Sequence, residues 1–188
     1  TGIEKFTVDG CHELESFNTD GLRSLAHTMP HIPNMKEKTV RYPGHAELMK
    51  VFRETGLFGK EKINVNGEKV IPLKVMTQLL FPKWKMQPGE EDFTVMRVVL
   101  EGDTKTITYT LLDYYDKNTN TTSMARTTGY TCTAAANLVI KKEFSRKGIC
   151  PPEFIGEDAK CFEFVLNYLK ERKVIYKKEI TTKKILTE

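Results

Sequence analysis

The junction at residues 15–22 is the first segment whose residue types could do chemistry. Asn18, Thr19 and Asp20 stand where a short strand meets a predicted helix. A helix N-terminus carries unpaired N–H groups and a partial positive charge, so this junction could seat a substrate carboxylate. The same residue types also cap any ordinary helix start. Spacing alone favours capping, and both interpretations stay open.

The segment 38–45 is the second candidate. Thr39, Val40 and Arg41 form a short β-stretch that runs into a Pro-Gly turn and then His45. A guanidinium in this position could form a bidentate pair with a substrate carboxylate. The alternative is a surface arginine on an edge strand that proline closes. His45 could titrate near neutral pH, although a histidine that opens a helix is more often structural.

The segment 123–136 is the third candidate. It carries Arg126, Thr127, Thr128 and Gly129 in a predicted helix of small residues. Small side chains let a ligand or another backbone approach closely, and a glycine inside a helix costs about 1 kcal/mol relative to alanine. These residues could therefore line a cleft. Tight packing of the helix on a sheet explains the same pattern slightly better.

The sequence lacks the motifs of several common nucleotide-binding and catalytic sites. It contains no G-x-G-x-x-G, no G-x-x-x-x-G-K-[ST], no H-E-x-x-H and no G-x-S-x-G. Without the glycine-lined turn the chain is not expected to hold a dinucleotide alone. No metal site is expected either, because the four cysteines have no paired spacing. We expect these thiols to be reduced and mostly buried, as in a cytoplasmic protein.

The elements that must position these residues follow from turn signals and periodicity. Asp9-Gly10 and Asn66-Gly67 predict hairpins, and apolar spacing predicts helices. The predicted strands are residues 3–8, 11–17, 38–42, 63–71 (as a hairpin), 92–100 and 106–115. One predicted helix begins after residue 20, and the others span residues 45–55, 72–83, 122–143 and 157–173. Residues 93–100 carry apolar side chains at both odd and even positions, so both faces of this strand are expected to be covered.

The order of these elements predicts an α+β fold with a mixed, largely antiparallel sheet and helices packed on it. A length of 188 residues fits one domain, and 39% hydrophobic with 29% charged residues is typical of a globular chain. No stretch has the roughly 20 apolar residues of a membrane span. The start, Thr1-Gly2-Ile3, has no initiator methionine and no signal region, which favours an excised part of a larger protein.

The net charge of +4 has its main source in a lysine-rich tail, Lys170–Lys184. Such a tail could touch nucleic acid. It lacks the interleaved arginines and aromatic rings of a stacking platform, so a solvated face is the favoured interpretation and nucleic acid is not an expected partner.

Four of these segments occur in an order that resembles one known family. They are Glu15–Arg23, Thr39–His45, Ser123–Thr131 and Gly148–Glu153. Together they are similar to the C-terminal domain of the saccharopine dehydrogenase and lysine 6-dehydrogenase family. The similarity runs from about Gly10 to about Lys173, nearly the whole chain.

The resemblance implies a two-domain NAD(P)-dependent oxidoreductase that transfers a hydride at a C–N centre of a lysine-derived amino acid. A Rossmann domain, missing from this chain, would bind NAD or NADP. This domain, residues 1–188, would be similar to the C-terminal domain of glyceraldehyde-3-phosphate dehydrogenases, would contact the substrate and would form a homodimer. The resemblance assigns substrate contacts to the junction at residues 18–20 and the strand at residues 39–41.

One departure bears on the substrate. Saccharopine-forming members carry arginine where this sequence has Thr19. Threonine cannot form a bidentate pair with a carboxylate, so saccharopine is not the secure choice. Arg41 is the expected carboxylate receptor, and no acid–base residue is assigned. The alternative is a non-catalytic module that binds an amino acid or provides a dimer interface.

Overall fold

The structure, a computed structural model, describes residues 2–183. Six α-helices and three small antiparallel sheets occur in this range, which confirms the predicted α+β class. The chain divides into two compact units. Unit 1 comprises residues 2–7, 13–19 and 37–90, and unit 2 comprises residues 8–12, 20–36 and 91–183. None of the helices in the described range has the length and hydropathy of a membrane span.

Unit 1 contains a three-stranded antiparallel sheet. Its strands are β1 (Glu4–Phe6), β2 (Leu14–Asn18) and β3 (Lys38–Arg41), and β2 lies in the middle. The predicted hairpin of the first two strands is confirmed. In β2 and β3, Glu15 lies opposite Arg41 and Asn18 lies opposite Lys38. Side chains that face each other in this way share one face of a sheet, so the register decides which residues can act together.

The other elements of unit 1 follow the sequence pattern closely. They are α2 (His45–Glu54), the hairpin of β4 (Ile63–Val65) and β5 (Glu68–Val70), and α3 (Pro72–Trp84). Asn66 and Gly67 have φ angles of 51° and 93°, which is the left-handed geometry of a type I′ turn. The two predicted helices and the hairpin are confirmed.

A predicted helix cap is absent. The helix after the junction is α1 (Leu25–Thr28), four residues long, and its N-cap is Ser24 without a side-chain cap hydrogen bond. Asn18, Thr19 and Asp20 therefore do not cap a helix, and the capping interpretation is wrong. They also do not lie at a helix N-terminus that could seat a carboxylate.

Unit 2 contains the second three-stranded antiparallel sheet. Its strands are β6 (Phe93–Glu101), β7 (Lys105–Tyr114) and β8 (Tyr176–Thr182), with β7 in the middle. The two first strands match the prediction. The third was not predicted: residues 176–182 of the lysine-rich segment pair along β7 from Leu111 to Lys105. The side chains of residues 177–182 are exposed, as expected of a solvated face.

The helices of unit 2 are α4 (Ser123–Ile140), α5 (Pro152–Gly156) and α6 (Ala159–Glu171). At the start of α4, the Thr122 hydroxyl accepts the Ala125 N–H at 3.1 Å, and the Asp92 carboxylate accepts the Ser123 and Met124 N–H groups at 2.7 and 2.9 Å. These bonds satisfy donors that every helix start leaves open, and they fix the start of α4 against the first residues of β6.

The core of unit 2 lies where β7 meets the helices. Leu111, Leu169 and Val174 are almost fully buried, and partly buried neighbours pack on them. The far half of β6 is different, because the side chains from Met96 to Leu100 are exposed. The prediction that β6 is covered on both faces is therefore wrong for this half. The cysteine prediction also fails in part, since Cys161 is the one buried thiol among the four.

Candidate functional site

One face of the β2–β3 pair collects polar and charged side chains at the start of α2. The Glu15 carboxylate accepts the backbone N–H of Ala46 at 2.7 Å and that of Gly44 at 2.9 Å. The helix N-terminus is positive, so a carboxylate is stabilised there. The hydrogen bond from Ala46 contributes most to lowering the pKa of Glu15. Glu15 thus holds the first turn of α2 onto the sheet.

We expect Glu15→Gln to destabilise the chain by about 1 kcal/mol near neutral pH, the usual value of a charged helix-terminus contact. The folded-state pKa of Glu15 lies below its unfolded value. Its contribution is therefore complete above the unfolded pKa and is lost as the pH falls through the folded pKa. Urea unfolding at neutral and acidic pH measures the difference. Glu13→Gln, which removes an exposed partner of Lys5, is the control, and an equal loss at every pH would contradict the prediction.

The same face carries a hydroxyl–carboxylate cluster made of Thr19, Glu37 and Thr39. The Thr19 backbone N–H donates to the Glu37 carbonyl at 3.4 Å, which extends the strand ladder by one pair. The Thr19 hydroxyl donates to the Glu37 carboxylate. Because that hydroxyl has a single proton, the 2.8 Å contact between the two threonines has Thr39 as its donor. Glu37 is a polar residue that the sequence interpretation missed.

Arg41 lies on this face as well, opposite Glu15. Its side chain is exposed, and its Nη1 donates to the Val40 carbonyl at 2.7 Å. No carboxylate in residues 2–183 lies within 4.0 Å of this guanidinium. A depression of about 270 Å³ lies at this end of the sheet, lined by Ile3, Glu4, Lys5, Glu13, Leu14, Glu15 and Pro43.

Asn18 is separated from Arg41. It lies opposite Lys38, at the other end of the strand pair. Neighbouring residues of a strand point to opposite faces, so Asn18 and Val40 share the face of the buried Ser16. Asn18 and Arg41 therefore lie on opposite faces of the strand pair, and the substrate contact of Asn18 stays a prediction. Asp20 is exposed in the bend that follows.

His45 joins the same region as Glu15. It is the first residue of α2, and its ring stacks on Phe17 with centroids 6.1 Å apart and planes 10° apart. Phe17 lies opposite Thr39 in the register. The structure thus brings His45 to the face that carries Thr39 and Arg41, and its role there stays a prediction.

Arg126, in unit 2, has a different environment from a cleft-lining residue. Its side chain is 7% exposed. It donates Nε–H and Nη2–H to the two oxygens of Asp113, each at 3.2 Å, another N–H to Asp116 at 3.1 Å and one to the Arg172 carbonyl at 3.2 Å. The hydrogen bond to Asp113 contributes most to raising the pKa of Arg126. With these partners the guanidinium is part of the core of unit 2.

The neighbouring residues of α4 differ in their contacts and exposure. The Thr127 hydroxyl donates to the Ser123 carbonyl at 2.9 Å within the helix, and Thr128 is exposed. A Cβ on Gly129 would meet no atom of the described residues within 4 Å. Close packing against this chain's own sheet therefore does not account for the glycine, and the cleft-lining role of residues 127–129 stays a prediction.

Residues 2–183 contain neither a cluster of metal-ligand side chains nor a glycine-rich nucleotide turn. No group of three or more His, Cys, Asp or Glu side chains in residues 2–183 could hold a metal ion. The longest helices begin at Ser123, Pro72 and Ala159, and none follows a glycine-rich strand–turn of the kind that admits a pyrophosphate.

The fold defines a class, that of α+β domains, and residues 2–183 contain no glycine-rich nucleotide turn. The family follows from a direct comparison. Residues 3–175 match the family model of the saccharopine dehydrogenase C-terminal domain, so the chain belongs to this family. It is a family of domains associated with oxidoreductases, and its membership implies a partner domain on the N-terminal side in the full protein.

Proposed function

We propose that the chain is the substrate-binding domain of an NAD(P)-dependent oxidoreductase that acts on a C–N bond of a lysine-derived amino acid. The observation that carries the proposal is the exposed guanidinium of Arg41, which has no carboxylate partner among residues 2–183. Such a cation, on the face that also carries Thr19 and Thr39, is suited to bind the α-carboxylate of an amino acid.

In this proposal the chain binds and orients the amino acid, and NAD or NADP is bound by a Rossmann domain on its N-terminal side. The cofactor supplies the hydride acceptor when it is bound there. This chain's residues would hold the substrate carboxylate at Arg41, and the hydrogen-bonded strand pair β2–β3 would fix its position. The family membership and the absence of a glycine-rich turn in the sequence support this division of labour.

A dimer interface is a second function that one observation favours. Val98, Leu100 and Ile180 share one face at one end of the β6–β7–β8 sheet and are 41–57% exposed. Clustered apolar side chains of this kind mark interaction surfaces. We propose that a second copy of the protein covers them in a homodimer. A non-catalytic dimerisation module would use the same surface. Binding of NADH or NADPH by the full-length protein therefore separates the two functions.

The test of the main function is a fluorescence titration of NADH and NADPH. The isolated chain is expected to leave the emission unchanged, because its sequence has no glycine-rich turn to admit the pyrophosphate. The full-length protein is expected to change the emission of at least one of the two cofactors in a saturable way. A saturable response of the isolated chain would refute the division of labour. No response of the full-length protein would refute the enzyme and leave the interaction module.

A further inference from the structure

We propose that helix α3 carries a docking surface for the N-terminal partner domain, which places an apolar face with an acidic rim against it. The proposal rests on the function proposed above, because it concerns how the domain that holds the cofactor is fixed against the domain that holds the substrate. The docking surface, called the α3 surface below, consists of Val75, Leu79, Phe81, Trp84 and Met86.

The α3 surface is apolar and is not covered by the described residues. Its five side chains are 40–66% exposed, whereas Met76 is the one buried residue of the helix. Val75 and Leu79 are one turn apart and form one side of α3, and Phe81 and Trp84 form another. A helix that is apolar on several sides is normally buried, and exposed apolar patches mark interaction surfaces. Residues 2–183 leave this surface open, so its partner lies outside this range.

The charges around the α3 surface have a single sign. Residues 70–89 contain Lys74, Lys83 and Lys85 and no Asp or Glu. No carboxylate of residues 2–183 lies within 4.0 Å of these three ammonium groups. Complementary charges fix the register of an interface, and interfaces between domains of one chain are of mixed polarity. The matching face is therefore apolar at its centre and carries Asp or Glu at its rim.

The proposed reaction identifies the domain that carries this face. Unit 1 contains both α3 and the β2–β3 pair, where the amino acid would be held. Reacting atoms must approach to about 3–3.5 Å, so the domain that holds NAD(P) has to come against unit 1. The family implies such a domain on the N-terminal side. A second copy is the less suitable occupant, because the exposed apolar end of the β6–β7–β8 sheet in unit 2 is assigned to it in the proposed dimer.

Hydroxyl-radical footprinting of the full-length protein, read by mass spectrometry, tests the docking. Trp84 and Met86 report on the α3 surface, and Met124, an exposed methionine of unit 2, calibrates the radical dose. Trp84 and Met86 are expected to be oxidised about fivefold more slowly in the wild type than in Leu79→Asp, because a charge inside an apolar interface shifts the population to the undocked state. Ile140→Asp, which places the same charge on an exposed isoleucine of unit 2, is the control and should keep the wild-type rates.

A charge reversal tests the acidic rim of the partner. In the double variant Lys83→Glu, Lys85→Glu, the oxidation of Trp84 should be faster than in the wild type at low ionic strength. The difference should shrink in high salt, because salt screens the repulsion between carboxylates. Lys60→Glu, Lys62→Glu, the same change at two exposed lysines elsewhere in unit 1, should leave the oxidation of Trp84 unchanged. An equal effect of the two double variants would overturn the acidic chemistry of the partner.

The outcomes separate this proposal from the one on which it rests. Oxidation of Trp84 and Met86 in the wild type at the Leu79→Asp rate would overturn the docking. Protection that is lost on dilution would assign the surface to a second copy, and protection that requires vesicles of phosphatidylglycerol would assign it to a membrane, so both overturn it as well. Turnover of an amino acid with NAD(P) by the same preparation leaves the oxidoreductase function intact in these cases. Protection without any turnover keeps the docking and refutes the function, and circular dichroism melting checks that each variant is folded.

Discussion

Replacing Arg126 with alanine is expected to destabilise the protein by about 3–5 kcal/mol, the usual effect of removing one partner from a buried ion pair. The substitution leaves Asp113 buried, at 5% exposure, without its bidentate partner. It also removes the hydrogen bonds to Asp116 and to the Arg172 carbonyl. Denaturant unfolding followed by circular dichroism measures the loss.

Two variants make this experiment specific. Arg53→Ala removes an exposed arginine of α2 and should change stability by no more than about 0.5 kcal/mol. The double variant Asp113→Leu, Arg126→Met replaces the pair with apolar groups, so it should recover a large part of the loss. A loss below about 1 kcal/mol in Arg126→Ala would contradict the structural role and return Arg126 to the list of ligand-binding candidates.

Local signals in the sequence predicted most of the elements. Asn66-Gly67 predicted the β4–β5 hairpin because few other dipeptides place two consecutive residues in the left-handed conformation at low energetic cost. The helices α2, α3, α4 and α6 follow from apolar periodicity. These features depend on neighbouring residues in the chain, so a single sequence contains enough information to find them.

Strand β8 was missed because its evidence is not local. The segment Tyr176–Thr182 is rich in lysine, and composition alone indicates a solvated face without indicating a strand. Its β-branched residues can be recognised as part of a strand only once Ile180 is known to lie opposite Ile107 of β7. Pairing between segments about 70 residues apart in sequence is set by tertiary packing, which periodicity cannot reveal.

The relative placement of the candidate site residues was predicted in part, and the errors have a physical cause. Thr19, Thr39 and Arg41 do share one face of the β2–β3 pair, but Asn18 lies on the other. Asn18 and Arg41 each end a strand, and antiparallel strands end at opposite ends of their pair. A shift of one residue along a strand also moves the side chain to the other face of the sheet. Glu37 could have been found from its alternation with Thr39 and Arg41, had the strand been extended by one residue.

The environment of Arg126 could not be predicted from its segment. The residues around it suggest a helix with a small-residue face, whereas its partner Asp113 is 13 residues earlier on β7. Nothing in the local sequence tells a buried structural arginine from a ligand-binding one. The distinction requires the packing of α4 on β7, which the register of the sheet and the helix start at Asp92 and Thr122 determine.

Arg41→Ala, measured in the full-length protein, has the largest expected effect on function. If Arg41 binds the substrate carboxylate, its removal costs about 2–3 kcal/mol, so the KM of the proposed oxidoreductase for its amino-acid substrate should rise about 100-fold. The kcat and the KM for NAD(P) should stay near the wild-type values, since the lost contact is the same in the ground and transition states. Arg41→Lys should recover only part of the affinity, because lysine keeps the charge but not the bidentate geometry.

The steady-state KM of Arg41→Ala for the amino acid is the measurement closest to the central claim, that the β2–β3 face of this chain binds the substrate. We predict a rise of about 100-fold, with Arg53→Ala indistinguishable from the wild type. An unchanged KM for the amino acid in Arg41→Ala would contradict the claim, whatever the stability of the variant.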